Sequence, residues 1–219
     1  MITKKYTSFF KQLAQHNNKD WFHENKKTYE QDVKKPFLNL LEILIPEIEL
    51  LEPEISTNPK DALFRINRDV RFSKDKTPYN TLLKAGFSAG GRKSVLPGYY
   101  LGISAEKIHV GGGLFNVKTH ELKKIRKLIA KETELFNTIV NNKDFVQKFG
   151  TLKGEKAKRL DASFQSVQAK MPYIANKQFY AMQEIPLEQY YCSDELPKMI
   201  LMYFKEINPL NKFLKKAFK

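Results

Sequence analysis

The chain has 219 residues, of which 42% are hydrophobic and 28% charged, the proportions of an ordinary globular domain. Its single cysteine excludes an internal disulfide and a cysteine-cluster zinc site, and no apolar run reaches the roughly 18 residues of a bilayer-spanning helix. The net charge of +14 at pH 7 is compatible with nucleic-acid binding, but it arises mainly from scattered lysines, which are typical of a solvated surface. Lysine and glutamine interrupt the first 15 residues, so we expect no secretion signal and a cytoplasmic protein.

Residues 1–55 have the spacing of helices. Apolar side chains recur three or four residues apart from Phe22 to Leu44, which predicts an amphipathic helical segment. Asn18 or Asp20 is placed to cap its beginning, because their short side chains accept hydrogen bonds from free backbone amides.

Residues 61–116 have the pattern of a sheet. The segments that predict strands are ALFRINRDVRF, TLLKAGFSAG, GYYLGISA and KIHVGGGLF, and turns with glycine or proline separate them. The short AEK connection predicts an antiparallel hairpin between the last two strands. Strands in series without intervening helices also favour an antiparallel sheet.

Residues 118–219 return to helical spacing, and one late strand is predicted within MPYIANKQFYAMQEIPL. The order of elements is therefore helices, sheet, helices. We expect an α+β fold over residues 1–219 as a single domain, with a mainly antiparallel sheet flanked by amino-terminal and carboxy-terminal helices.

Arginine is concentrated in one segment. The chain has 38 basic side chains but only six arginines, and three of these lie within residues 65–71. If residues 64–72 form a strand, the even-numbered side chains form a core face into which Arg68 intrudes, and the odd-numbered ones form a polar face. The polar face then carries Arg65, Asp69 and Arg71.

Two interpretations of these arginines remain open. A guanidinium group offers a planar fork of donors that matches a carboxylate or a phosphate. In the structural interpretation, Arg65, Asp69 and Arg71 form an ion-pair network and Arg68 pairs with a buried acid. In the functional interpretation, at least one fork stays free for an anionic ligand.

Two neighbouring features favour the functional interpretation. The turn after residue 73 supplies two lysines and a tyrosine, and three glycines in KIHVGGGLF either form a backbone anion site or mark a β-bulge. The predicted ligand-binding residues are Arg65, Arg68, Arg71, Lys74, Lys76, Tyr79, Gly111, Gly112 and Gly113. Asp69 is the candidate catalytic residue, as a base or as a group that orients an arginine.

The arginine segment also carries a family resemblance. The run Arg-x-x-Arg-Asp-x-Arg-Phe-Ser-x-Asp-Lys-x-Pro-Tyr, from Arg65 to Tyr79, followed by GYYLGIS and GGGLF, resembles domain of unknown function 2461, a family of bacterial and fungal proteins. The resemblance extends upstream to NNKDWFHENKKTYEQDVKKPF and downstream to NPLNKFLKKAF, so it implies one domain over nearly the whole chain. It implies no activity, cofactor or catalytic residue. After the glycines this chain has Leu114–Val117, where the family usually has a tryptophan and a proline.

Three functions are compatible with these observations. The first is binding of a small anionic, phosphate-bearing ligand in a pocket lined by arginine, lysine and glycine. The second is nucleic-acid binding through the basic surface, and the third is a structural or interaction role in which the arginines form a scaffold. No Walker A, dinucleotide-binding or His-Glu-x-x-His motif is present, so no cofactor, metal site or reaction is predicted.

Overall fold

The computed structural model describes every residue from 1 to 219, and its amino-terminal part is helical. Its elements are α1 (Lys4–Gln15), α2 (Lys19–Glu24), α3 (Lys26–Thr28), a π-helical segment (Tyr29–Lys34), α4 (Lys35–Leu51) and α5 (Pro59–Ala62). Asn18 caps α2, because its side-chain oxygen accepts a hydrogen bond from the Trp21 amide at 2.9 Å. Asp20 lies inside the first turn.

The sheet is fully antiparallel, as predicted. Its strands are β1 (Leu82–Phe87), β2 (Gly98–Ser104), β3 (Lys107–Leu114) and β4 (Phe179–Pro186), in the order β1-β2-β3-β4. The hairpin between β2 and β3 is confirmed, and the Ser104 hydroxyl closes it by accepting a hydrogen bond from the Lys107 amide at 3.0 Å. The late strand β4 pairs with β3 and completes the α+β fold.

The remaining helices follow β3. They are α6 (Thr119–Lys131), α7 (Thr133–Val140), α8 (Lys143–Phe149), α9 (Gln165–Gln168) and α10 (Glu195–Lys215). Short 3-10 segments lie at Ala162–Phe164, Pro172–Ala175, Leu187–Tyr190 and Lys216–Phe218. None of the helices combines the length and the apolar character that crossing a membrane requires.

The two faces of the sheet have different surroundings. On one face, Tyr99 and Phe87 pack against Phe204 of α10, with ring centroids 5.0 and 5.9 Å apart. Because side chains alternate along a strand, Tyr100 and His109 lie on the opposite face, which no long helix covers. We call this opposite face the second face.

A buried polar network joins the end of α4 to the sheet and to α10. Glu52 is 3% exposed, and its Oε1 accepts hydrogen bonds from the Tyr99 hydroxyl at 2.8 Å and the Asn208 amide at 3.2 Å. Lys215 pairs with Oε2 of the same carboxylate. The Lys215 ammonium and these two donors satisfy the buried charge, as a carboxylate out of water requires.

The predicted strand over residues 64–72 is wrong. Residues 63–80 instead form a loop that precedes β1 and folds back on itself, with single β-bridges at Leu63–Ala85 and Asn67–Tyr79. Phe72, which the alternation placed in the core, is 97% exposed. The physical reason is local hydrogen bonding by aspartate, which competes with a strand ladder. We call residues 63–80 the arginine loop.

Candidate functional site

Arg71 is neutralised within the arginine loop. Its Nε and Nη2 donate to the two oxygens of Asp69 at 3.0 and 2.7 Å, while 76% of its side chain is exposed. The hydrogen bonds from the Arg71 side chain and amide lower the pKa of Asp69 to about 2. Asp69 therefore stays ionised and bound to Arg71. This fits a group that orients an arginine better than a catalytic base, whose pKa should lie near the working pH.

Arg68 has its own partners on the returning half of the loop. Its Nη1 lies 2.5 Å from Asp75 and also bonds Thr77. The Thr77 amide and the Arg68 guanidinium lower the pKa of Asp75 to about 2. Asp75 is 59% exposed, so the partner of Arg68 is a surface acid and not the buried acid of the structural interpretation.

The predicted residues after the turn are dispersed. Lys74 is exposed and its side chain makes no hydrogen bond or ion pair, and the Lys76 ammonium donates to the carbonyl of Val70 at 3.0 Å. Tyr79 is buried, and its ring stacks on Phe22 with centroids 4.0 Å apart. Tyr79 thus anchors the loop to α2, whereas Lys76 folds back onto the loop itself.

The three glycines do not face the arginines. Gly111, Gly112 and Gly113 lie in β3, an interior strand whose backbone pairs with β2 and β4. The arginine loop attaches beyond the edge of β1, three strand spacings or roughly 14 Å away. The backbone of these glycines therefore pairs with the neighbouring strands, and the backbone anion site expected from the sequence does not form beside the arginines.

The glycines have a packing role. A Cβ at Gly111 would collide with the Ala181 carbonyl, and one at Gly112 would collide with the Gly98 carbonyl and lie 3.2 Å from Ile207 of α10. Gly113 has φ +115°, a backbone region that favours glycine. These positions require glycine because the backbones approach closely.

A basic groove lies between the amino-terminal helices and the first arm of the arginine loop. Its volume is 730 Å³. Five cationic and two acidic side chains line it, for a net charge of +3; they are Lys19, Lys26, Lys34, Arg65, Arg92, Asp20 and Glu30. Glu30 is bound to Lys34 at 2.8 Å, so most of the remaining charge is uncompensated.

Arg65 is the arginine of the loop that remains free. Its guanidinium makes no hydrogen bond and no ion pair, although its backbone neighbourhood is fixed by the Phe64 amide, which donates to the Lys84 carbonyl at 2.8 Å. Arg92 enters the same groove from the β1–β2 connection and donates to the carbonyl of Asp61, which orients it without neutralising it. The groove thus presents two guanidinium groups that make no ion pair, and a backbone carbonyl orients one of them, that of Arg92.

Sequence reasoning missed most of this groove. Lys19, Lys26 and Lys34 come from α2, α3 and the π-helical segment, far from Arg65 along the chain. The one sequence feature that could have pointed to Arg92 is the rarity of arginine, since the chain has only six. Only the packing of the loop against the helices brings these cations together.

A second cavity, of 740 Å³, lies on the second face of the sheet. We call it the sheet cleft. Its walls include Tyr100, Phe115, His109 and Met182. Burial raises the pKa of Tyr100 to about 12, and burial lowers the pKa of His109, an effect that the nearby Glu184 partly offsets.

The family comparison agrees with the motif. A family model described as "Conserved hypothetical protein (DUF2461)" matches residues 5–213, which is nearly the whole chain. A search of curated proteins finds no match. Both the arginine loop and the basic groove lie within the matched residues. The chain therefore belongs to the DUF2461 family.

Proposed function

We propose that the protein binds a small phosphate-bearing molecule and holds the phosphate in the basic groove. The observation that carries the proposal is Arg65. Of the three arginines in the loop, it alone has no acidic partner, and it lies in a groove with a net charge of +3. A free guanidinium fork in a concave basic site matches a phosphate group in shape and charge.

The two other interpretations explain different residues. The scaffold interpretation accounts for Arg68 and Arg71, which are paired with Asp75 and Asp69. The nucleic-acid alternative calls for cations spread along a surface track, whereas Arg65, Arg92, Lys19 and Lys26 line a single cavity. A cytoplasmic location belongs to the same proposal, because a lone free thiol such as that of Cys192 is usual in a reducing compartment.

The proposal predicts that Arg65→Ala weakens the binding of inorganic pyrophosphate by at least tenfold. One charge-assisted bidentate contact is worth about 1.4 kcal/mol or more, which is a factor of ten in Kd. Arg71→Ala is the matched control, because it removes the same charge from the same loop but does not line the groove. Its Kd is expected to stay within about twofold of wild type, as measured by isothermal titration calorimetry.

The same titrations distinguish the alternatives. Equal weakening in the two variants would contradict the proposal, since it would reflect the net charge and not one site. A steep fall of affinity with salt, together with tighter binding of a short oligonucleotide than of pyrophosphate, would instead support nucleic-acid binding. Both variants are expected to have a Tm within about 2 °C of wild type, because both side chains are exposed.

A further inference from the structure

The basic groove and the sheet cleft are neighbours with a common wall. Phe64 and Arg92 line both cavities. Phe64 belongs to the first arm of the arginine loop, directly before Arg65, and Arg92 belongs to the β1–β2 connection. The groove and the cleft therefore adjoin at these two residues, and a ligand that occupied both cavities would contact them.

The sheet cleft has the character of a site for a flat ring. Most of its lining is apolar or aromatic, and its volume of 740 Å³ falls in the usual range for small-molecule sites, about 300–1,000 Å³. The Tyr100 and Phe115 rings stand 6.1 Å apart at 51° to each other, so they form adjacent aromatic walls. Such faces stack favourably on any planar heteroaromatic group.

Two glycines shape the cleft. A Cβ at Gly86 would lie 3.1 Å from the Phe64 ring, and a Cβ at Gly102 would lie 3.0 Å from the Tyr100 hydroxyl. The two aromatic side chains thus lie across positions that carry no side chain. Because these rings lie low over the strands, the space above the second face stays open.

A few polar groups stand among the aromatic walls. Only a quarter of the His109 side chain is exposed, and Glu184 is 3.5 Å away, which is long for a hydrogen bond. Because burial lowers its pKa, the imidazole is neutral at pH 7 and presents one donor and one acceptor. Asn116 and Ser94 add further donors and acceptors to the lining. This combination suits the edge of a nitrogenous base.

We propose that the ligand is a nucleoside monophosphate, with its phosphate in the basic groove and its base in the sheet cleft. The inference rests on the proposed function for the phosphate half. It adds the class of the organic half, which the proposed function leaves open. The chemistry that selects the base is stacking on Tyr100, Phe115 and Phe64 with hydrogen bonds to neutral His109.

The test compares AMP, ribose 5-phosphate and inorganic pyrophosphate by calorimetry on wild type and on Phe115→Ala. Wild type is expected to bind AMP at least tenfold tighter than ribose 5-phosphate, since stacking one base contributes about a factor of ten or more. Phe115→Ala is expected to lose most of that difference. Phe72→Ala is the matched control, because Phe72 is 97% exposed and lines neither cavity.

The outcomes separate the two proposals. If ribose 5-phosphate and pyrophosphate bind but AMP gains nothing, the base site is wrong and the phosphate site stands. If pyrophosphate binds but AMP and ribose 5-phosphate do not, this inference fails and the phosphate site stands. If none of the three compounds binds, the proposed function and this inference fail together. If Phe72→Ala weakens AMP as much as Phe115→Ala does, the sheet cleft is not the site of the base. Phe115 is 39% exposed, so the variant is expected to fold.

Discussion

Replacement of Glu52 by alanine is expected to lower the free energy of unfolding by about 3 kcal/mol, the cost of breaking a buried ion pair from one side. The variant leaves Lys215, whose side chain is only 14% exposed, without its buried partner. It also removes the acceptor for the Tyr99 hydroxyl and the Asn208 amide. Equilibrium unfolding in urea, monitored by circular dichroism, measures the loss.

Glu54→Ala is the control for this experiment. Glu54 binds the same Lys215 ammonium at 3.0 Å, but 59% of its side chain is exposed. Its loss is expected to leave Tm within about 2 °C of wild type, because water replaces an exposed partner at little cost. Equal stability of the two variants would contradict the structural role assigned to the network around Glu52.

The second large effect is expected at Gly111. Gly111→Ala should destabilise the fold by about 2–3 kcal/mol, the upper part of the range for a side chain forced into packed surroundings. The added Cβ would collide with the Ala181 carbonyl and lie 2.9 Å from the Met182 Cα, and both belong to the backbone of β4. A neighbouring strand cannot yield as a side chain does. Thermal and urea unfolding without any ligand measure this effect.

Gly102→Ala provides the comparison on the adjacent strand. There the nearest atoms to an added Cβ are the Leu82 Cδ1 and the Tyr100 hydroxyl, each at 3.0 Å and each at the far end of a side chain. We expect a loss below about 1 kcal/mol, since these ends can move. If Gly111→Ala were as stable as Gly102→Ala, the close approach of β3 and β4 at this point would be disproved.

Much of the fold follows from local patterns in the sequence. β1, β2, β3 and β4 lie in segments of β-rich composition bounded by turn residues, and the short AEK connection fixed the β2–β3 hairpin. Capping by Asn18 is equally local. Such features depend on neighbours within a few residues, so a single sequence is enough to predict them.

The strand prediction for the arginine segment was wrong because the alternation of polar and apolar residues there has another cause. Alternating polar and apolar residues form a strand only where a neighbouring strand pairs with their backbone hydrogen-bonding groups. Here Asp69 binds Arg71 two residues later, and Asp75 binds Arg68 seven residues earlier, so the segment folds on itself. Asp69, the candidate catalytic residue of the sequence analysis, is thus one of the two carboxylates that shape the loop.

Part of the candidate site could be predicted from the sequence. The concentration of arginine drew attention to the segment that contains Arg65, but it did not distinguish the guanidinium without an ion pair from the two paired ones. Lys19, Lys26 and Arg92 reach the groove through tertiary packing, which local patterns do not encode. The glycines of β3 were misassigned for the same reason, since the strand order separates them from the loop.

The most direct test of the account follows the Nε–Hε signals of the six arginines by two-dimensional 1H–15N NMR during titration with AMP. Conservative variants such as Arg65→Lys assign the signals. The account predicts that the Arg65 and Arg92 signals shift and saturate together, while those of Arg68 and Arg71 stay in place because Asp75 and Asp69 already hold them. Movement of the Arg71 signal with a stationary Arg65 signal would contradict it.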